Sequence, residues 1–139
     1  MMNKVILIGR LARDPETRNF QNGGIVCNLR VATSRSWKDR NSGERVEKTE
    51  WHTVAIFAEP KAKYAQNTMR KGDMVQLEGS LETRKWTDQA GQDRYSTEIV
   101  IRPFEGDLNE GNDPGKGPEG GNDTKGGGGK DEFEDEIPF

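Results

Sequence analysis

A chain with one cysteine and one histidine rules out several chemistries before any motif is read. Cys27 alone allows no intrachain disulfide and no cysteine-based metal cluster. His52 alone excludes a multi-histidine metal site. Carboxylates are numerous, but none falls into a recognisable acid/base pair. The glycine run 126–129 before Lys130 has no Ser or Thr after the lysine and no strand before it, so it is not a phosphate-binding loop. There is no nucleophile elbow and no nucleotide fingerprint. The expectation is a protein that is not an enzyme and needs no cofactor or metal. Cys27, in an alternating apolar run, reads as a small buried thiol, and His52 as a structural or interface residue.

Apolar residues are scarce as well, at 30% of the chain. The longest N-terminal run, residues 5–8, is too short for a signal-peptide core or a membrane span, so a soluble cytoplasmic protein without membrane contact is expected. The shortage is concentrated at one end. Residues 106–139 hold 10 glycines, and their only sizeable apolar side chains are Leu108, Phe133, Ile137 and Phe139. Such a stretch buries too little surface to offset its ordering entropy and is expected to be disordered. The expected organisation is one domain over 1–105, a Gly-rich linker over 106–130 and an acidic peptide over 131–139.

Charge divides at the same boundary. Residues 1–105 carry 18 Lys/Arg against 14 Asp/Glu, a net of +4, while residues 106–139 carry 3 against 10, a net of −7. A basic domain with an acidic tail suggests one polyanionic and one basic partner. A solubilising tail on a soluble domain fits the same charges.

What is present reads mainly as strands. Residues 5–8 form a continuous apolar run closed by Gly9, the pattern of a strand buried on both faces. Ile25, Cys27, Leu29, Val31 and Thr33 alternate with Asn28, Arg30 and Ser34 after the turn signal Asn22-Gly23-Gly24. Residues 49–58 place Trp51, Thr53, Ala55 and Phe57 on one face and His52, Val54 and Ile56 on the other. Residues 39–43 have a hairpin-loop composition. A helix is predicted over 59–69, with Pro60 in its first turn, a stripe of Ala62, Ala65 and Met69, and a stop at Lys71-Gly72-Asp73. Strands follow over 74–81, continuing towards Trp86, and over 94–102. Three strands, a helix and two strands match the order of a mainly β, five-stranded OB-fold Greek-key barrel, although periodicity alone also permits another small barrel.

Three tryptophans and a phenylalanine lie in polar or basic surroundings: Trp37 beside Lys38, Trp51, Phe57, and Trp86 after Arg84-Lys85. Trp51 and Phe57 are six residues apart, hence on one strand face and separated by roughly 20 Å. Rings that stack on any base, with cations that follow phosphates, are what single-stranded nucleic acid binding requires. The candidate stacking residues are Trp37, Trp51, Phe57 and Trp86; the candidate phosphate contacts are Lys38, Arg40, Arg84 and Lys85. Each aromatic also has an ordinary reading as core. Val54 and Ile56 tilt the balance outward for the third strand, because they already supply its inner face.

The tail holds a second candidate site. Asp131, Glu132, Glu134, Asp135 and Glu136 surround Phe133 and lead to Ile137, Pro138 and Phe139. Solubility needs charge but no aromatic anchor, whereas a docking peptide needs both. Asp135, Glu136, Ile137, Pro138 and Phe139 are therefore the candidate protein-docking residues. The opposite charges also allow the tail to occupy its own domain's groove when no polyanion is bound.

Several stretches together resemble one family: Asn3-Lys4-Val5-Ile6-Leu7-Ile8-Gly9, Asp14-Pro15-Glu16, Asn22-Gly23-Gly24, Ala32-Thr33-Ser34, Thr49-Glu50-Trp51-His52, Arg70-Lys71-Gly72, Glu78-Gly79, Thr83-Arg84-Lys85-Trp86-Thr87-Asp88 and Gly91-Gln92-Asp93-Arg94-Tyr95. In this order, with the acidic Ile-Pro-Phe end, they resemble the bacterial single-stranded DNA-binding proteins along nearly all of residues 3–102 and again at the last six. The resemblance implies a homotetramer of OB-folds that wraps single-stranded DNA without sequence preference. It also implies stacking by Trp37, Trp51, Phe57 and Trp86, and a tail end that docks replication, recombination and repair enzymes at the nucleoid. Thr53, Glu59 and Glu82 depart from it, standing where many relatives carry a basic residue, which implies either weaker phosphate contacts there or an altered wrapping mode. The residues themselves leave one alternative open: an OB-fold protein-interaction module with a nucleic-acid-mimicking tail.

Overall fold

The structure, a computed structural model, describes residues 1–113; the remainder of the 106–130 linker and the 131–139 peptide lie outside the described residues. Along the chain run β1 (Val5–Leu11), β2 (Glu16–Asn19), β3 (Ile25–Lys38), β4 (Arg45–Ile56), α1 (Glu59–Thr68), β5 (Met74–Thr87), β6 (Asp93–Ile101) and β7 (Asp107–Glu110). Strands β1, β3, β4, β6 and β5 are hydrogen-bonded in that order, and a β1–β5 pairing closes them into a five-stranded barrel. Only β4 and β6 pair in parallel; the other neighbours are antiparallel. With α1 between its third and fourth strands, this is the OB-fold.

Two four-residue strands are added to the expected five. β2 pairs with β3, and β7 pairs with β5. The domain therefore runs beyond residue 105 into the stretch expected to be linker. Its anchor is Leu108, which is fully buried in the core, and Lys61 on α1 bonds both the Leu108 carbonyl (3.3 Å) and the Asp107 carboxylate (2.8 Å). Beyond β7, Arg10 holds Asp113 through two hydrogen bonds of 2.7 and 3.0 Å. The hydrogen bond from Lys61 and those from the Leu108 N–H and Asn109 hold the Asp107 carboxyl below its ordinary range.

The core is aliphatic. Leu11, Leu29, Val31, Val54, Ile56, Val75, Leu77, Ile99 and Ile101 point inward, and Ala62 and Ala65 of α1, with Met69 at its C-terminal cap, plug the barrel. Cys27 is buried among them, and desolvation pushes its thiol up to about 11, so it is neutral at physiological pH. Two glycines let strands cross closely. A Cβ on Gly9 would stand 2.4 Å from the Ala32 carbonyl oxygen, and one on Gly79 2.7 Å from that of Val100.

β1 is not buried on both faces. Leu11 is buried and Val5 and Leu7 pack against the core, but Ile6 and Ile8 are 56% and 58% exposed. An unbroken apolar run carries no alternation to mark which face is covered, and here the even-numbered face looks away from the core.

If Leu108 pins β7 as described, Leu108→Ala lowers domain stability by about 2–5 kcal/mol in urea denaturation. An unchanged midpoint would return residues 107–110 to the linker.

Candidate nucleic-acid interface

Residues directly paired across a ladder point to the same side of the sheet, so the register defines the outer wall of the barrel. Trp51 is opposite Ala32, Thr53 opposite Arg30, and Ala55 opposite both Asn28 on β3 and Val100 on β6. Val100 is in turn opposite Ser80 on β5, and two-residue steps along that ladder lead to Glu82/Glu98, Arg84/Ser96 and Trp86/Arg94. Trp51, Arg84 and Trp86 thus share one outer wall spanning β3, β4, β6 and β5. Phe57 follows β4 directly and keeps its alternation, its N–H donating to the Ile101 carbonyl at 2.8 Å. Val54 and Ile56, on the other face of β4, are fully buried, so the outward placement of Trp51 and Phe57 follows from the inward placement of those two.

Trp37, Trp51, Phe57 and Trp86 are 41%, 53%, 36% and 44% exposed. Each has a rigid local support. Trp37 lies where the β3–β4 hairpin extends past the core, on the face opposite Trp51, with the Arg35 guanidinium 4.7 Å from its ring centroid. Its loop is tied by Asp39, which accepts from the Asn41 N–H at 3.0 Å and from the Ser42 hydroxyl at 3.1 Å, and by Gly43 at φ +71°. Trp86 stands at the β5–β6 turn, where Asp88 accepts from the Ala90 and Gln92 N–H groups (both 2.9 Å) and from Arg94 Nε (3.0 Å). The Gln92 and Arg94 contacts, in that order, hold the Asp88 carboxyl low.

The cations divide. Lys38 and Arg40 are exposed at the β3–β4 hairpin end. Arg84 is on the wall with Trp86, with Nε 2.8 Å from the mostly covered Glu98 carboxylate. Lys85 lies on the opposite face of β5 from Arg84 and Trp86, paired with Asp93 at 3.1 Å. The structure adds three wall residues that pattern reading missed: Arg30, Arg102 and Phe20. Arg30 donates to Thr53 Oγ1 at 2.7 Å, which brings a guanidinium to the place where Thr53 supplies none. Arg102 grips Glu82 through contacts of 2.7 and 3.1 Å and stands 5.4 Å from the Phe57 ring centroid. Glu59, the third departure, pairs with Lys63 one helical turn along at 2.9 Å. Arg30 was legible as a polar position in an alternating strand. Arg102 was likewise a polar position, at the end of the strand expected over 94–102, although the observed β6 stops at Ile101. Asp135, Glu136, Ile137, Pro138 and Phe139 lie outside the described residues.

An OB-fold whose outer wall presents exposed rings among arginines belongs to the class of barrels built to hold extended chains of planar groups with phosphates between them. The chain belongs to the single-strand binding protein family, matching it over residues 2–106. It is 50% identical to a single-stranded DNA-binding protein of Rhizobium meliloti (strain 1021), over 99% of this chain and 80% of the relative. A solved structure described as the Plasmodium falciparum SSB complex with ssDNA matches with a TM-score of 0.71 at 35% identity, covering 78% of this chain and 93% of that one.

The Arg102 contact holds the Glu82 carboxyl below its ordinary value of 4.5. A lowered carboxyl adds stability that is present above the ordinary value and is lost as pH falls through the folded one. In an NMR titration, Glu82 is expected to inflect below 4.5, and Arg102→Gln to return it to the ordinary range. The same inflection in both proteins would show that the pair does not form in solution.

Proposed function

We propose that this chain is a non-enzymatic protein that binds single-stranded DNA without sequence preference, protects it, and recruits replication, recombination and repair enzymes through its acidic tail in the cytoplasm. One observation carries the binding reading: every Trp and Phe among the described residues is at least 36% exposed, while the core is filled without them. Large rings ordinarily supply core energy. Rings left outside, on rigid strands and turns beside arginines, are suited to stacking with bases of any identity, at about 1–3 kcal/mol per base. The names of the relatives support the same ligand, since one is called a single-stranded DNA-binding protein and the other is in complex with ssDNA.

The working unit proposed is a homotetramer. Ile6 and Ile8 on the outward face of β1 give an apolar surface of the kind that a second copy covers. The acidic residues Asp135 and Glu136 steer the tail onto a basic patch, and Ile137, Pro138 and Phe139 anchor it. One Phe buried per contact contributes roughly 1.5–3 kcal/mol before ordering costs, which keeps recruitment reversible.

Titration with oligo-dT is expected to quench the Trp fluorescence, with affinity falling by about 0.7 log units per log unit of salt for each phosphate neutralised. Sedimentation of the same samples should report four chains per complex. Absence of quenching at low salt, with indifference to Trp37→Ala and Trp86→Ala, would favour a protein-interaction module instead. Deleting residues 137–139 is expected to leave DNA affinity intact or raised while abolishing enzyme capture. Loss of DNA binding in that truncation would contradict the division of labour between wall and tail.

A further inference from the structure

We infer that Phe20 is a fifth stacking residue, and that Phe20, Phe57 and Arg102 form one base-and-phosphate subsite at the β2 end of the outer wall. The inference deepens the single-stranded DNA reading and rests on it.

Phe20 follows β2 at the β2–β3 turn. Its strand parity matches Glu16 and Arg18, which are opposite Asn28 and Val26, so its side chain shares the outer face with Ala55 and Phe57. The Phe20 and Phe57 ring centroids are 6.5 Å apart and their planes differ by only 5°. Because the planes are nearly parallel, a single base orientation can stack on either ring. Arg102 stands 5.4 Å from the Phe57 centroid, close enough to serve the phosphate of a nucleotide seated there, and Glu82 fixes its guanidinium through two contacts.

The turn that carries the ring is also held in place. The Phe20 N–H donates to the Gly24 carbonyl at 2.7 Å, and its own carbonyl accepts from Gly23 at 3.1 Å. Gly23 takes φ +85°, a conformation that closes this turn and suits glycine. A Cβ on Gly24 would stand 3.3 Å from Phe20 Cδ2, so the small residue there leaves the ring its space. Pairing with Phe57 does not bury Phe20, which remains 46% exposed. A ring kept only for packing would be covered; this one sits on a tied turn and stays open beside Phe57, whose own ring lies next to the Arg102 guanidinium.

Two measurements test the subsite. In Trp-quenching titrations with oligo-dT, Phe20→Ala is expected to weaken binding roughly 5- to 150-fold, the loss of one stacked base. Phe20→Tyr should restore binding, whereas Phe20→Leu, which keeps apolar contact with Phe57 but has no ring, should not. In the unaltered full-length chain, ultraviolet crosslinking to oligo-dT should label the peptide containing Phe20 as well as that containing Phe57. Parent-like affinity of Phe20→Leu, or crosslinks at Phe57 with none at Phe20, would overturn the inference and leave the single-stranded DNA reading intact. A parent chain that binds no oligo-dT would remove both.

Discussion

A five-stranded barrel with a helix across its end has room inside for aliphatic side chains and little more. Here that space is taken by Leu, Ile, Val, Ala, Met and one Cys, with Tyr64 at the margin. Strand alternation does the rest, since every residue next to an inward Val or Ile must face out. Trp51 and Phe57 are outside because Val54 and Ile56 are inside, and a one-residue slip of β4 would exchange the two sets. The exposed aromatic wall is thus tied to the same register that fills the core.

The electrostatics of the wall are more restrained than a count of arginines suggests. Arg84 is matched by Glu98 and Arg102 by Glu82, and Arg30 rests on a threonine hydroxyl. An exposed pair such as Arg102–Glu82 contributes little to stability. The physical effect of these contacts is to orient guanidinium groups that would otherwise sample many rotamers, at the cost of a local negative charge that an incoming phosphate must outcompete. Thr53 and Glu82 therefore do not leave the wall without cations, because Arg30 and Arg102 deliver guanidinium groups beside them. Under the proposed function, a wall with paired cations and open rings would draw its affinity from stacking and its alignment from charge.

The strands with clean alternation were readable, and so was α1, whose Ala62 and Ala65 are buried as their spacing predicts, while Met69 is buried from the extended cap that ends the helix one residue earlier than expected. The outward turn of Trp51 and Phe57 was readable for the same reason. β1 was misread because four consecutive apolar residues look alike from both sides. β2 and β7 were not legible: Glu16-Thr17-Arg18-Asn19 contains no apolar residue, and Asp107-Leu108-Asn109-Glu110 contains one. They are strands because β3 and β5 offer open edges, a tertiary fact. Phe20 and Arg102 escaped notice because each gains its meaning only from Phe57, 37 and 45 residues away in the chain. Lys85 was grouped with Arg84 by adjacency, whereas the pleat sends adjacent residues to opposite faces.

Under the proposed function, the rings kept out of the core are the ones that meet the strand. The chain has three tryptophans, each with one indole N–H, so a two-dimensional ¹H–¹⁵N spectrum offers three site-specific reporters on Trp37, Trp51 and Trp86. On saturation with oligo-dT all three indole signals should shift strongly, while the amides of Val54, Ile56 and Leu77 in the core barely move. Binding that shifts core or tail amides and leaves the three indoles in place would contradict the account.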